Sequence, residues 1–369
     1  MVEYRVAVIP GDGVGPEVSA EAERVLGVAA DRFGFGVETV WFDWSCDRYL
    51  EVGSMMPPDA LETLRGFDAI FLGCIGDADK VPDDVSLQML LDIRVGFDQY
   101  VNLRPIRLYP GVSTPIRTAT PETVDLVVVR ENTEGEYARQ GGFYKPDTPG
   151  GFAHQTGIFT RRGCERVIRY AFELATERKA AGKPGRVTNC TKSNALNYSM
   201  VFWDRIYDEI ASQFPHIQRD MALVDALTMW FVKNPEWFDV VVASNLFGDI
   251  ITDLGAMLQG GMGLAAGGNI DPERRFPSMF EPIHGSAPKY TGQQRVNPIA
   301  SIEAIRMMLD HLGEHHAADT IGTAISTVLA HGDIRTRDLG GTNTTTELGH
   351  AIADHIERSE ATEEVNADE

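Results

Sequence analysis

Asp249 and Asp253 stand four apart in SNLFGDIITDLGA, where Ile250, Ile251 and Leu254 suit a helix. At that spacing two carboxylates project from one helix face about a turn apart. They could grip one cation between them. With no histidine or cysteine beside them, a hard divalent ion such as magnesium or manganese suits the oxygens. Taken alone, two acids on a solvated helix face explain the spacing better, although like charges there mildly repel.

Arg94 in LLDIRVGFDQY, Arg104 in VNLRPI and Arg130 in VVVREN read as lying at element ends, the last carried on a nearly buried strand. Planar guanidinium groups take carboxylates bidentately, so three of them suit a substrate with two carboxylates. The structural alternative for each is an ion pair with nearby Asp92, Asp98 or Glu131. Lys192 follows the strand RVTNCT and Tyr137 follows the turn ENTEGE. Both residue types carry protons where burial or a neighbouring charge shifts their pKa, yet singly each is equally a surface or capping residue.

Two glycine-bearing runs invite a phosphate. GDGVGP after the first strand lacks a dinucleotide fingerprint because Pro16 stands where Gly-x-Gly-x-x-Gly needs its last glycine. Gly11, Gly13 and Gly15 permit close ligand approach, and a plain tight turn is equally consistent with them. In FEPIHGSAPKYTGQQRVNPIAS, His284, Gly285 and Ser286 form a small-residue turn. Lys289 and Tyr290 follow in a loop where backbone N–H groups and a lysine could meet phosphates.

These residues need elements to hold them. RVAVIP, FDAIFLGCIG, TVDLVVVREN, RVTNCTKSN and WFDVVVASN are short apolar or β-branched runs ending in polar or glycine-bearing turns. Helical segments separate most of them, beginning with PEVSAEAERVLGVAADRF behind Pro16. That alternation predicts an α/β chain with ligands near the carboxyl ends of its strands. The tail ERSEATEEVNADE is acidic and is expected to fray.

A formal charge of −21 argues against nucleic acid, which demands a basic surface. No run approaches the roughly 20 apolar residues of a membrane span, and MVEYRVAVIP has no basic start or cleavable apolar stretch. A cytoplasmic protein acting on small molecules is therefore expected. Cys46, Cys74, Cys164 and Cys190 are scattered, which predicts buried thiols rather than disulfides or structural zinc. Only seven lysines are present, a balance found in high-salt cytoplasms and in ordinary acidic enzymes alike.

Taken together, IPGDGVGPE, NLRP, VVVRENTEGEY, the lysine after a strand, NLFGDIITDLGA and EPIHGSAP followed by VNP resemble the β-decarboxylating dehydrogenase family, over nearly the whole chain. That family includes isocitrate, 3-isopropylmalate, homoisocitrate, D-malate and tartrate dehydrogenases. The resemblance implies the isopropylmalate/isocitrate dehydrogenase-like fold, two α/β domains sharing a central sheet, and not a standard Rossmann fold. Residues 1–104 and 262–369 would form the large cofactor-side domain, and 105–261 the small one, joined to its counterpart in a homodimer with shared active sites.

Carried over by position, the resemblance implies that Arg94, Arg104 and Arg130 hold the substrate carboxylates. Asp249 and Asp253 hold magnesium or manganese, with Asp225 of ALVDALTM reaching in from the other subunit together with Lys192. Lys192, through a water, takes the substrate's hydroxyl proton; hydride leaves for the nicotinamide; and Tyr137 returns a proton to the carbon that carbon dioxide has left. His284, Gly285, Ser286, Ala287 and Asn297 would bind the cofactor. Lys289 and Tyr290, with Arg337 as helper, resemble the groups that bind a 2'-phosphate, which favours NADP over NAD.

WFDWSCDRYLEVGSMMPPDALETL and FDQYVNLRP look most like the D-malate and tartrate enzymes. Leu87, Gln88 and Leu90 stand where relatives taking a third carboxylate or an alkyl group place acid, serine or asparagine. Leu90 could instead accept an alkyl chain, which keeps 3-isopropylmalate as the main alternative, ahead of isocitrate and homoisocitrate. A catalytically silent subunit is disfavoured, because all three arginines, Tyr137, Lys192 and the three aspartates are present.

Overall fold

The computed structural model describes residues 2–359; of the acidic tail 357–369 expected to fray, Glu357 and Arg358 instead close the last helix, and the residues from 360 on lie outside the described residues. Twelve strands are present among them: β1 (Glu3–Gly11), β2 (Gly36–Trp41), β3 (Ala69–Cys74), β4 (Val101–Arg107), β5 (Asp125–Glu131), β6 (Gly135–Tyr144), β7 (Phe152–Ile158), β8 (Arg186–Thr191), β9 (Gln218–Leu223), β10 (Val240–Ala243), β11 (Ala266–Ile270) and β12 (Ser278–Pro282). The helices are α1 (Gly15–Phe33), α2 (Cys46–Val52), α3 (Ala60–Leu64), α4 (Asp83–Gly96), α5 (Arg161–Ala180), α6 (Ser199–Ala211), α7 (Val224–Lys233), α8 (Asn245–Leu258), α9 (Ile299–Leu312), α10 (His315–His331) and α11 (Thr345–Arg358).

Ten strands form one sheet in the order β2-β1-β3-β12-β11-β4-β5-β10-β8-β9, and β6 pairs with β7 as a separate hairpin. Most neighbours are parallel, as α/β alternation requires, but β4 runs antiparallel to both β5 and β11, and β11 to β12. Strands from both chain ends thus lie together on one side of β4, and β5, β10, β8 and β9 on the other. The expected boundary after residue 104 falls inside β4, which is bonded to both sides.

Side chains alternate across the sheet. Val6 and Val8 enter one core with α1 and α9, while Ala7 and Ile9 enter a second with Trp44, Leu64, Met89 and Phe97. Val127, Val128 and Val129 are all buried, the continuous apolar run of a strand covered on both faces.

The glycines of GDGVGP are set by packing within this chain. Gly11 and Gly13 have φ of +69° and +61°, and a Cβ on either would stand 2.0 Å from a carbonyl oxygen, that of Cys74 or Ser286. Asp12 N donates to Cys74 O (2.6 Å) and Val14 N to Ser286 O (2.8 Å). These glycines let three stretches of this chain cross closely. All four cysteines are buried and free, and among the described residues no helix is long and apolar enough to cross a membrane.

Candidate active site

The antiparallel register around β4 builds the site. Asn102 stands opposite Asn269 of β11 on one side and Arg130 of β5 on the other. That row carries the polar side chains of three strands into one buried layer. Arg104, two residues along and so on the same face as Asn102, is mid-strand rather than at an element end, which corrects the sequence reading. Arg94 does occupy the last turn of α4, and Arg130 is the penultimate residue of β5.

None of the three arginines uses the nearby acids named as structural partners. Asp92 accepts from Gln88, Asp98 from Arg166 and Arg275, and Glu131 from the N–H groups of Thr133 and Glu134. Instead Arg94 Nη2 donates to Glu281 Oε1 across 2.8 Å. Arg130 pairs with Asp249 and donates to Asn245 Oδ1 at 2.7 Å. Arg104, 6% exposed, has no carboxylate partner among the described residues and donates through Nε to Asn102 Oδ1 at 2.6 Å. Burial, with Arg130 and Arg94 alongside, pulls its guanidinium down to about 9, still a cation at neutral pH.

Glycines make room for these side chains. A Cβ on Gly248 of α8 would meet Arg130 Cγ at 2.5 Å, and one on Gly267 of β11 would meet Arg104 Nε at 2.8 Å.

Asp249 and Asp253 lie on α8 as their spacing predicts. Tyr137 Oη donates to Asp249 Oδ2 at 2.8 Å. Burial pushes the Asp249 carboxyl up, but Arg130 and the Tyr137 hydroxyl outweigh it and hold it below the usual range. Asp253, one turn on at the exposed lip, makes no hydrogen bond or ion pair among the described residues. Partial burial and the Asp249 charge hold its carboxyl high. Burial and the bond to Asp249 likewise raise the Tyr137 phenol, keeping its proton in place at neutral pH. Tyr137 itself lies within β6 rather than merely after a turn.

Lys192 and Asp225 are brought to each other, Nζ to Oδ1 in 2.8 Å, and not to Asp249. No group of three metal-binding side chains forms among the described residues, so one chain assembles two of the three expected aspartates.

Two clefts meet at the loop after β12. One, of about 740 Å³, runs between Leu87 and Leu90 of α4 and the stretch Glu281–Pro288. The other, of about 580 Å³, is lined by Val14, Tyr290, Arg295, Asn297, Arg337 and Asp338; His284, Gly285 and Ala287 border both. Burial pushes the His284 imidazole below its ordinary value, so it is a neutral wall. Ser286 Oγ donates to Gly76 O, and its own carbonyl is taken by Val14, so this residue ties the loop down. Lys289 Nζ lies 4.8 Å above the Tyr290 ring and Arg295 Cζ 5.7 Å from it. The Asn297 amide is turned inward, donating to Asp338 Oδ2 at 3.0 Å and accepting from Ile299 N.

Sequence reasoning missed Glu281, Asn245, Asn269, Asn102, Arg295 and Asp338. A signal existed for two of them: Glu281 is the one charged residue of the buried strand SMFEP, and Asn102 precedes Arg104 by one strand repeat.

Residues 5–352 match the family described as isocitrate/isopropylmalate dehydrogenase. The chain belongs to that family. It is 48% identical to the D-malate dehydrogenase (decarboxylating) of Escherichia coli over 97% of this chain and 100% of that one. Against the tartrate dehydrogenase/decarboxylase of Pseudomonas putida it is 47% identical, over 96% and 98%. The 3-isopropylmalate dehydrogenase of Thermobifida fusca is 46% identical, over 95% and 97%. The solved isocitrate dehydrogenase of Methylococcus capsulatus superposes with a TM-score of 0.86 at 35% identity, covering 96% and 100%. The isocitrate/isopropylmalate dehydrogenase fold expected from the motifs is thus the fold observed, and the chain is a decarboxylating dehydrogenase of this family.

Proposed function

We propose that the chain oxidises and decarboxylates a small 2-hydroxy dicarboxylic acid of the D-malate or tartrate type, with magnesium or manganese and NAD(P). The observation that carries this reading is Arg104, a buried guanidinium without an ion-paired carboxylate among the described residues, flanked by Arg94 and Arg130. A buried charge lacking an ion partner is costly, and a dicarboxylate supplies the missing anion.

The donor set is consistent with a divalent cation, since Asp249 is held ionised and Asp253 beside it has no partner among the described residues. A cation there would supply Lewis acidity to the substrate's hydroxyl and developing carbonyl, and NAD(P) would supply the hydride acceptor. Asp225 and Lys192 enter from a second copy of the chain, a reading supported by their separation from Asp249. It is also supported by the exposed Tyr198, Met221, Met229, Ile250 and Met257 around α6 to α8, an apolar face fit for a homodimer. Lys192, through a water, accepts the hydroxyl proton. The arginines keep the leaving carboxylate oriented, and the protonated Tyr137 delivers to the carbon left behind.

Tyr290, Arg295 and Arg337 line one cleft and Lys289 lies over the Tyr290 ring, a set that favours NADP, whose extra phosphate the lysine and arginines would hold. Leu87 and Leu90 on the wall of the other cleft leave a third carboxylate without a partner, which disfavours isocitrate. The same apolar wall would accept an alkyl group, so 3-isopropylmalate is the second reading. Cation-dependent reduction of NADP and NAD with D-malate, meso-tartrate, L-tartrate, 3-isopropylmalate and isocitrate side by side tests this. Preference for D-malate or a tartrate is expected; preference for 3-isopropylmalate transfers the assignment, and no turnover with any acid ends it.

A further inference from the structure

Asn269 is fully buried at the middle of the arginine cluster and touches none of the reacting groups. Its Oδ1 accepts from Asn102 Nδ2 (2.8 Å) and from Asn132 Nδ2 (3.0 Å). Its Nδ2 donates to Glu281 Oε1 (2.8 Å) and to Met279 O (3.4 Å). Both lone pairs and both N–H groups of one amide are therefore engaged, the full capacity of an asparagine. Each arm leads to an arginine. Through Glu281 the amide reaches Arg94, 2.8 Å beyond; through Asn102 it reaches Arg104 Nε, 2.6 Å beyond.

From this geometry we infer that Asn269 is a positioning residue that sets the spacing and orientation of the Arg94 and Arg104 guanidinium groups, and with them the affinity for a dicarboxylate. The inference rests on the reading that those arginines take the substrate's carboxylates. Polarity is what the position supplies. An aspartate would accept from Asn102 and Asn132 as before, but would set a second carboxylate against Glu281. A small side chain would leave the Asn102 amide N–H groups without a partner and take one of two hydrogen bonds from Asn132 Nδ2 and from Glu281 Oε1, costly in a dry layer. The sheet register makes the arrangement possible, because Asn269 and Asn102 are paired residues on adjacent strands.

The test uses Asn269→Asp in the full chain, assayed with whichever acid of the panel is turned over. Repulsion at Glu281 displaces Arg94, so KM for the acid should rise about tenfold or more, a loss of roughly 1.4 kcal/mol of binding. The kcat at saturation should stay within about threefold, because Tyr137, Lys192 and the aspartates are untouched. Adding Glu281→Gln exchanges amide and carboxylate across the same contact at constant net charge, and KM should return to within about threefold of the parent. A merely structural role would lower the melting temperature and the yield of active enzyme without moving KM.

A folded Asn269→Asp protein with KM within about twofold of the parent overturns the inference. Should that variant not fold, the double variant decides: a folded double variant with parental KM supports it, and one with KM still raised about tenfold overturns it. Arg104→Lys separates the underlying reading, for if that change leaves KM for the acid untouched, the arginines do not bind it, whatever Asn269 does.

Discussion

The Tyr137 hydroxyl lies 2.8 Å from Asp249 Oδ2, while Arg130 holds the other oxygen of the same carboxylate. The group proposed to deliver a proton and a group proposed to hold the cation are thus joined by one hydrogen bond, and the cation's arrival must compete for that oxygen.

Removing the Tyr137 hydroxyl removes the proton donor while leaving the ring. Tyr137→Phe should therefore lower kcat by about 100-fold or more, with the fold intact and melting changed by no more than the loss of one half-exposed hydrogen bond, on the order of 1 kcal/mol. Steady-state turnover and thermal unfolding read on the same sample check both halves of the statement; near-parental turnover would remove Tyr137 from the mechanism.

The proposed sharing of sites between two copies of the chain makes a prediction that a self-contained subunit does not. Lys192→Met and Asp249→Asn should each be nearly inactive alone. A mixed dimer of the two contains one site with both native residues and one with neither, so co-refolded equimolar chains should recover about a quarter of parental activity by random pairing. Absence of recovery in chains shown to have exchanged would place Lys192 and Asp249 in one subunit's site or in none.

Cofactor choice should turn on charge beside Tyr290. Lys289→Asp removes a cation and adds an acceptor for ribose hydroxyls, and should move the ratio of kcat/KM for NADP over NAD towards NAD by about tenfold or more. An unchanged ratio contradicts the 2'-phosphate assignment for this loop.

His311 predicts an acid limb of stability. Burial, then the Arg274 charge, pulls its imidazole from the ordinary value to about 4. Between about pH 6.5 and about pH 4 the unfolded chain binds a proton that the folded chain does not, so stability falls as pH falls, by roughly 3 kcal/mol. His311→Phe, which keeps a ring against Phe280, should flatten that limb; a limb of unchanged slope in denaturant melts would locate the acid sensitivity elsewhere.

What could be read in the chain without its fold was whatever local geometry carries. The four-residue step from Asp249 to Asp253 makes a helix face, and the strand-ending positions of Arg130 and Lys192 follow from their apolar runs. The alternation of strands and helices was legible for the same reason, since 2.0 and 3.6 residue periods are local properties. The partners were not. Arg94 of α4 meets Glu281 of β12, and Asn269 meets Asn102, across more than 150 residues of sequence; the antiparallel register of β4 sets Asn102 beside Asn269 and Arg130, and slipping it by one residue would turn its member of the row to the other face. For the same reason GDGVGP reads as a phosphate loop or a plain turn until Cys74 and Ser286 are seen pressed against its glycines. Tertiary structure alone decided that, among the described residues, Arg104 is the one of the three site arginines without an ion-paired acid, because ion pairing is set by proximity in space and not along the chain.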